Sequence, residues 1–443
     1  MKSRTTLEEV IGGSKFKKIH LIVLLWCISI TLFDGYELAV FGSALPEMIT
    51  EWGLTPVAAG AIGSYGTFGM LLGALIMGPL ADKIGNKRSI IGMVFLFSLF
   101  QLLCGLSSSV VMFSVFRFIA GFGLGGVLPN VLAIMSGYSP KHLKGTLVTM
   151  AFVGMALGFL LGTGMSILTI PAFGWRSVFL IGGLPLLVIP FMMKYLPESP
   201  SYLLVSQKSQ KLLTILQAIN PATQPEIINE LTSSGEKHGF QLLGLFKEGR
   251  GFSTVMFWIA CFMSFLTNFG IVTWLTKFMV QAGYPLASSL EFMVIYYLGC
   301  VAGTLIGAWI SDRLGMKKAV VLFFTIGGLS LTLLIFNPNL IVFNILIFLV
   351  GIGTFGSQSL TNAFATNYYP ENLRSTGAGM ALGLGRLGAV FGPTYGGLLL
   401  SLGFSLQMSF LAFAVPSLIA ALALSLVSSR SRAASYNLDQ VRI

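Results

Sequence analysis

Long apolar runs separated by short polar stretches cover most of the chain, and each run has the length of a membrane-spanning helix. A helix needs about 20 apolar residues to cross a bilayer. Counted this way, the chain predicts helices at 19–45, 57–81, 89–107, 109–135, 145–170, 175–196, 252–280, 286–310, 319–336, 340–365, 375–401 and 404–427. The pattern therefore predicts an all-α membrane protein with twelve transmembrane helices.

One long polar segment divides these runs into two sets of six. We predict an N-terminal bundle at 1–196, a cytoplasmic linker at 197–251, a C-terminal bundle at 252–427 and a cytoplasmic tail at 428–443. The linker sequence "SYLLVSQKSQKLLTILQAIN" predicts short amphipathic helices.

Composition and charge support the membrane assignment and exclude other classes. Of 443 residues, 55% are hydrophobic and only 10% are charged, whereas soluble domains are about a quarter charged. Most of the 27 lysines and arginines fall on one side of the membrane if both termini are cytoplasmic. The net charge of +11 is thus a signal of orientation, and no nucleic-acid partner is expected. The four cysteines lie in apolar runs and predict small buried side chains.

The two halves repeat each other at a constant offset of 230 residues. "GALIMGPLADKIGNKR" aligns with "GTLIGAWISDRLGMKK", which pairs Asp82 with Asp312 and Gly85 with Gly315. "GYSPKHLKGTLVTMA" aligns with "NYYPENLRSTGAGMA" in the same way. This duplication predicts two pseudo-symmetric six-helix bundles, an arrangement that lets the bundles rock around a site near the membrane midplane.

These motifs resemble those of a known family. "GPLADKIGNKR" is similar to the signature loop of the major facilitator superfamily, and "RFIAGFGLGG" and "LPESPSYLL" resemble two further motifs of that superfamily. "DGYELAVFG" and "NYYPENLRSTGAGMALGLGRLGAVFGPTYGG" resemble the aromatic acid–proton symporters within it. The resemblance implies a monomeric secondary transporter of a bacterial inner membrane, which imports a small aromatic carboxylate with protons by alternating access.

Charged residues around the repeated turns are candidates for an inner gate. Asp82 can cap a neighbouring helix and pair with Arg88, and the second repeat offers Asp312 and Lys318. Gly85 and Gly315 would form the turns, and Arg374 carries a basic charge on the same side. The alternative is that these charges only set the orientation of the chain.

Two acids within the first helix are candidates for proton coupling. Asp34 and Glu37 are three residues apart and share a helix face. Acids inside a membrane are costly and mark function by default, because a carboxylate there can take up a proton. Arg117 in the fourth helix is a further candidate by resemblance, for proton transfer or for helix packing. The alternative for the acids is a polar pair that fixes helix packing.

Arg386 is the candidate for binding the carboxylate of a substrate. It lies near the middle of the eleventh helix, and the repeat places Ala156 at the equivalent position. A guanidinium can hold a carboxylate with two parallel hydrogen bonds. A structural ion pair with Asp34 or Glu37 is the alternative.

Amides and one tryptophan complete the predicted substrate site. The candidates are Asn130, Asn268, Trp274, Gln358 and Asn362. Gln358 and Asn362 are four residues apart and share one helix face. Interhelical hydrogen bonds are the alternative for the amides, and an interfacial anchor is the alternative for Trp274.

No motif indicates an enzyme or a cofactor. The sequence contains no nucleotide-binding loop, no "HExxH" and no metal-ligand cluster, so we expect no cofactor. The expected partners are an organic acid, protons and the lipid bilayer. Importers of a pyridine carboxylate or a sugar acid remain alternatives, as does a drug–proton antiporter, although Arg386 argues against the last. A non-transporting receptor would need a signalling domain, and the tail is too short for one.

Overall fold

The computed structural model describes residues 6–220, 223–225, 227–231, 242–370 and 373–428, and it is helical, with no strand in those ranges. Twelve long helices run through them and confirm the predicted number. They are α1 (Lys18–Trp52), α2 (Pro56–Ile84), α3 (Asn86–Gly105), α4 (Val110–Tyr138), α5 (Lys144–Phe173), α6 (Arg176–Tyr195), α7 (Gly251–Gln281), α8 (Leu286–Leu314), α9 (Met316–Phe336), α10 (Leu340–Tyr368), α11 (Arg374–Ser401) and α12 (Leu406–Leu426).

Eleven of these helices are long and apolar enough to cross a membrane, counted over the described residues. The remaining one, α11, is rich in glycine and carries Arg386. Short helices at Pro200–Val205 and Ser209–Ile219 confirm the helices predicted in the linker. The part of the predicted tail from residue 429 onward lies outside the described residues.

The described residues form two compact units. Unit 1 comprises those within 1–40 and 68–237, and unit 2 comprises those within 41–67 and 238–443. The core of unit 1 includes Leu212, Leu216 and Ile219, so the amphipathic helix Ser209–Ile219 packs its apolar face into that unit. This burial gives the linker sequence a structural role beyond connecting two bundles.

Glycines allow α1 and α5 of unit 1 to pack backbone against backbone. Gly154, Gly158 and Gly162 follow at four-residue intervals along α5, and a Cβ on Gly158 would overlap the carbonyl oxygen of Leu32. On α1, a Cβ on Gly35 would overlap the carbonyl oxygen of Met155. Small residues at this spacing are the usual means of close helix packing in lipid. The contact positions the stretch of α1 that holds the two acids.

We expect Gly158→Ala to destabilise the protein, because the added methyl group would force α1 and α5 apart. Overpacking of this kind costs about 1–3 kcal/mol. Gly164→Ala on the same helix is the matched control, since its Cβ would meet no atom within 4 Å. Thermal unfolding in detergent should show a lower midpoint for Gly158→Ala alone. Equal midpoints for the two variants would show that the contact between α1 and α5 tolerates a methyl group.

In unit 2, α7 and α11 are packed in the same manner. A Cβ on Gly388 would overlap the carbonyl oxygen of Phe262, and one on Gly396 would overlap the ring of Trp274. The Trp274 indole nitrogen donates a hydrogen bond to the carbonyl oxygen of Pro393, at 2.7 Å. Trp274 therefore locks α7 to α11, and the turn of α11 that holds Arg386 is fixed against α7.

Candidate functional site

The two predicted turns have the backbone that the sequence requires. Gly85 lies between α2 and α3 with φ +98°, and Gly315 lies between α8 and α9 with φ +85°. Residues with a side chain rarely adopt such angles. A Cβ on Gly85 would also lie 2.5 Å from Oε2 of Glu198. Glycine is therefore needed at residue 85 for its angle and for the close approach of a carboxylate.

Glu198 stabilises the start of α3, whereas Asp82 was the residue expected from the sequence to cap a neighbouring helix. Its Oε1 accepts a hydrogen bond from the backbone N–H of Lys87, at 2.9 Å. A carboxylate at this position offsets the partial positive charge of a helix N-terminus. Asp82 and Arg88 are both exposed, and no ion pair joins them in the part of the chain that the structure describes. The expected Asp82–Arg88 pair is thus absent, and Glu198 caps the helix.

Two lysines at equivalent positions of the repeat bind helix C-termini. The Lys87 ammonium donates to the carbonyl oxygen of Met193 near the end of α6, at 2.7 Å. In the same way, the Lys317 ammonium donates to the carbonyl oxygen of Val427 beyond the end of α12, at 2.7 Å. Cations are favourable at helix C-termini. These two lysines were not among the predicted gating residues, which include their neighbours Arg88 and Lys318, although the repeat aligns Lys87 with Lys317.

The remaining gating candidates lie on the surface of the structure. Asp312, Lys318 and Arg374 are exposed, and among the described residues no ion pair involves them. Their neighbour Arg313 lies over the ring of Trp309, with its guanidinium carbon 4.0 Å from the ring centroid. These three charges are thus accessible for contacts that the structure does not contain.

Asn130 lies beside the turn at Gly85. Its Oδ1 accepts a hydrogen bond from the side chain of Asn86, at 3.0 Å, and its Nδ2 donates to the carbonyl oxygen of Gly126, at 2.7 Å. Both ends of the amide are therefore used within unit 1. Because both ends are bonded, Asn130 supports the turn between α2 and α3. The predicted contact with substrate would require these hydrogen bonds to break.

Glu37 and Arg117 form an ion pair inside unit 1. Nη1 of Arg117 on α4 donates to Oε1 of Glu37 on α1, and the two side chains are 8% and 2% exposed. Asp34 is buried one turn earlier on α1. All three residues are candidates for proton coupling by sequence, but the pair between Glu37 and Arg117 was not predicted. One signal was available, because the repeat places Thr267 and Ile347 opposite Glu37 and Arg117, so that both charges are specific to the first half.

We expect Arg117→Leu to lower stability strongly, because it would leave the Glu37 carboxylate buried without its cation. Breaking a buried pair in this way costs roughly 3–5 kcal/mol, whereas removing both charges costs much less. The double variant Arg117→Leu with Glu37→Gln should therefore recover most of the loss in thermal unfolding. A double variant as unstable as Arg117→Leu alone would show that the guanidinium acts through contacts other than Glu37.

Arg386 lies on α11 next to Gly385, which packs against an aromatic side chain of α7 in unit 2. It is half-buried, and its neighbour Gly385 faces Phe265, whose Cδ2 would lie 2.9 Å from a Cβ at that position. Phe265 and Phe269 stack with ring centroids 6.1 Å apart and an interplanar angle of 5°. The α11 turn that carries this arginine thus packs against stacked aromatic rings of α7, and a guanidinium together with aromatic faces suits a planar anion with an apolar body.

The other substrate candidates of unit 2 differ in burial and in their hydrogen-bond partners. Asn268 is buried and Gln358 is half-buried, and they are hydrogen-bonded to each other at 2.8 Å. Asn362, one turn further along α10, is half-buried. Trp274 is fully buried and donates to Pro393, so it is not an exposed interfacial anchor, and its polar atom is already used.

Comparison with known proteins identifies the family. The family model of the Major Facilitator Superfamily matches residues 27–295 and 291–441. A benzoate transport protein of Acinetobacter baylyi is 37% identical over 438 residues, which cover 97% of this chain and 94% of that protein. A gallate transporter of Pseudomonas putida is 32% identical over 408 residues, which cover 91% of this chain and 90% of that protein.

The fold is also that of solved transporters. A partially occluded, inward-open structure of the xylose transporter XylE from Escherichia coli superimposes with a TM-score of 0.74 at 18% identity. The alignment covers 93% of this chain and all of that one. At this identity the likeness establishes the shared fold alone.

Proposed function

The chain belongs to the major facilitator superfamily, and we propose that it imports a small aromatic carboxylate together with protons by alternating access. The observation that carries this proposal is the packing of the α11 turn that holds Arg386, through Gly385, against Phe265 of the stacked pair Phe265 and Phe269. A guanidinium binds a carboxylate in a bidentate manner, and aromatic faces pack against a benzene ring. The relatives named for benzoate and gallate support the same substrate class.

In this proposal the acids of α1 couple transport to protons. We assign the transported proton to Asp34, which is buried one turn from the Glu37–Arg117 pair. The Glu37–Arg117 pair then responds to the charge on Asp34. Buried acids of transport proteins commonly act in such relays.

Energetics favour proton coupling for an anionic substrate. An anion that enters a cell against a negative-inside potential is opposed by about 2.3 kcal/mol per 100 mV. One accompanying proton removes that opposition, and a second would let the potential drive uptake. Accompanying protons therefore favour the accumulation of a small carboxylate.

The proposal also includes an inner gate, the oligomeric state and the orientation in the membrane. We assign gating to the charges Asp82, Arg88, Asp312, Lys318 and Arg374 together with the glycine turns at residues 85 and 315. Their exposure leaves them accessible to partners in another state of the transport cycle. The protein would act as a monomer in a bacterial inner membrane, with both termini in the cytoplasm.

Uptake by purified protein in proteoliposomes tests this function. Labelled benzoate, 4-hydroxybenzoate, a pyridine carboxylate, a sugar acid and a cationic drug would be offered with and without an inward proton gradient. Protein-free liposomes are the control, because neutral benzoic acid also crosses lipid. We expect gradient-driven accumulation of the aromatic acids. Accumulation of only the sugar acid, or gradient-driven export of only the drug, would overturn the proposal.

A further inference from the structure

Unit 2 contains a chain of four hydrogen-bonded polar side chains that joins three helices. We call Thr354, Tyr296, Asn268 and Gln358 the polar relay. The Tyr296 hydroxyl lies 2.9 Å from Oγ1 of Thr354 and donates to Oδ1 of Asn268 at 3.2 Å. Nδ2 of Asn268 then donates to Oε1 of Gln358 at 2.8 Å. The relay thus runs from α10 through α8 and α7 and returns to α10.

Burial differs sharply along the relay. Tyr296, Thr354 and Asn268 are 0%, 2% and 4% exposed, whereas Gln358 is half-buried. Within the described ranges, no hydrogen bond involves the amide nitrogen of Gln358. Asn268, which the Tyr296 hydroxyl holds in turn, therefore binds the carboxamide of Gln358 by its oxygen and not by its nitrogen. If relay residues served only to join helices, both ends of the chain would be satisfied internally.

The helix that carries Gln358, α10, has an irregular turn just before that residue, and this turn packs against α8. Residues Ile352–Gly356 of α10 form a π-helical turn, an irregularity frequent at functional sites. Gly356 packs against the backbone of Gly303 on α8, with its Cβ position 2.9 Å from that residue's carbonyl carbon. Thr354 lies within this turn and contacts Tyr296. The π-helical turn is thus held to α8 by a backbone contact and by the relay, which fixes the position of Gln358.

The relay also lies next to the aromatic pair. Asn268 is between Phe265 and Phe269 on α7, so the ring-stacking surface and the relay share one turn of helix. α11, which carries Arg386, packs against α7 and against the part of α10 that carries Gln358. The three helices therefore present a cation, apolar ring faces and a carboxamide within one unit.

We propose that the polar relay recognises a ring hydroxyl of the aromatic acid through the carboxamide of Gln358, with Asn268 and Tyr296 as positioning residues. The inference rests on the proposed function and specifies which ring substituents the site selects. A phenolic hydroxyl both donates and accepts, so it can pair with a carboxamide, whereas the C–H of an unsubstituted ring cannot. A site built for a hydroxyl discriminates against the analogue that lacks it, because a polar group is then left unpaired.

Competition against labelled benzoate in proteoliposomes tests the proposal. The competitors are benzoate, 3-hydroxybenzoate and 4-hydroxybenzoate, and the measured quantity is the ratio of each hydroxy acid's affinity to that of benzoate. Gln358→Leu removes the carboxamide at similar volume, and Tyr296→Phe removes only the hydroxyl that holds Asn268. Thr366→Val on α10 is the control, since its hydroxyl bonds only to the carbonyl oxygen of Asn362 in its own helix.

We expect the protein to prefer at least one hydroxy acid, and we expect Gln358→Leu to reduce that preference, the ratio of the two affinities, about 3- to 10-fold. Tyr296→Phe should reduce it less, and Thr366→Val should not change it. A merely structural relay would weaken all three acids together, and that result overturns the inference. Normal benzoate uptake with an unchanged or absent preference also overturns it, while the proposed function stands. No uptake of any aromatic acid by the unaltered protein overturns both.

Discussion

Arg386→Ala should reduce uptake of aromatic carboxylates at low substrate concentration by about 30-fold or more. Removing one partner of a desolvated charge pair costs roughly 2–5 kcal/mol. The variant keeps the stacked pair Phe265 and Phe269, so the aromatic ring retains its packing surface while the carboxylate loses its cation. The loss should therefore appear as weaker binding of the anion.

Two further variants show whether the charge or its geometry matters. Arg386→Lys keeps the positive charge but loses the planar fork, and we expect uptake between that of the unaltered protein and that of Arg386→Ala. Arg250→Gln is the control, because it removes an arginine of unit 2 whose partner, Glu248, is exposed. If Arg386→Ala took up benzoate with unchanged affinity, the assignment of the carboxylate site would be wrong.

Asp34→Asn should abolish proton-driven accumulation while sparing exchange of substrate across the membrane. Asparagine has nearly the shape of the protonated acid but cannot release a proton. The substitution also leaves both members of the Glu37–Arg117 pair in place, so the protein should fold. Uptake by the unaltered protein should fall as external pH rises, because fewer protons are available, and uptake by the variant should lose this dependence.

Counterflow separates this effect from general inactivation. Proteoliposomes loaded with unlabelled benzoate should exchange it for labelled benzoate through Asp34→Asn at a rate within a fewfold of the unaltered protein. Glu37→Gln is the comparison, since it breaks the pair with Arg117 and should lower thermal stability as well. Undiminished uphill accumulation by Asp34→Asn would assign the proton to another group.

The sequence was sufficient to predict the twelve helices, the repeat and the two glycine turns. Twelve helices follow from the length of the apolar runs, because a bilayer admits only segments that satisfy their own backbone. Positive φ angles at Gly85 and Gly315 follow from the repeat, which places glycine after an acid in both halves. Such features depend on local sequence, so they can be recognised in one amino-acid sequence.

Contacts between helices could not be predicted in the same way. The pair Glu37–Arg117 depends on how α1 and α4 pack. Lys87 and Lys317 bind backbone carbonyl oxygens, and because every residue has one, the sequence does not mark these partners. The cap that Glu198 provides at the start of α3 depends on the close approach of its carboxylate to the Gly85 turn. The π-helical turn of α10 likewise has no signature in the apolar run around it.

Proton and substrate fluxes recorded together in one preparation give the most direct test of proton-coupled import through Asp34. Proteoliposomes would contain a pH-sensitive dye, and labelled 4-hydroxybenzoate would be added outside without an imposed gradient, with protein-free liposomes subtracted. Coupled import predicts internal acidification with at least one proton for each carboxylate taken up, and its loss in Asp34→Asn. Carboxylate uptake without acidification, or equal acidification with Asp34→Asn, would contradict the account.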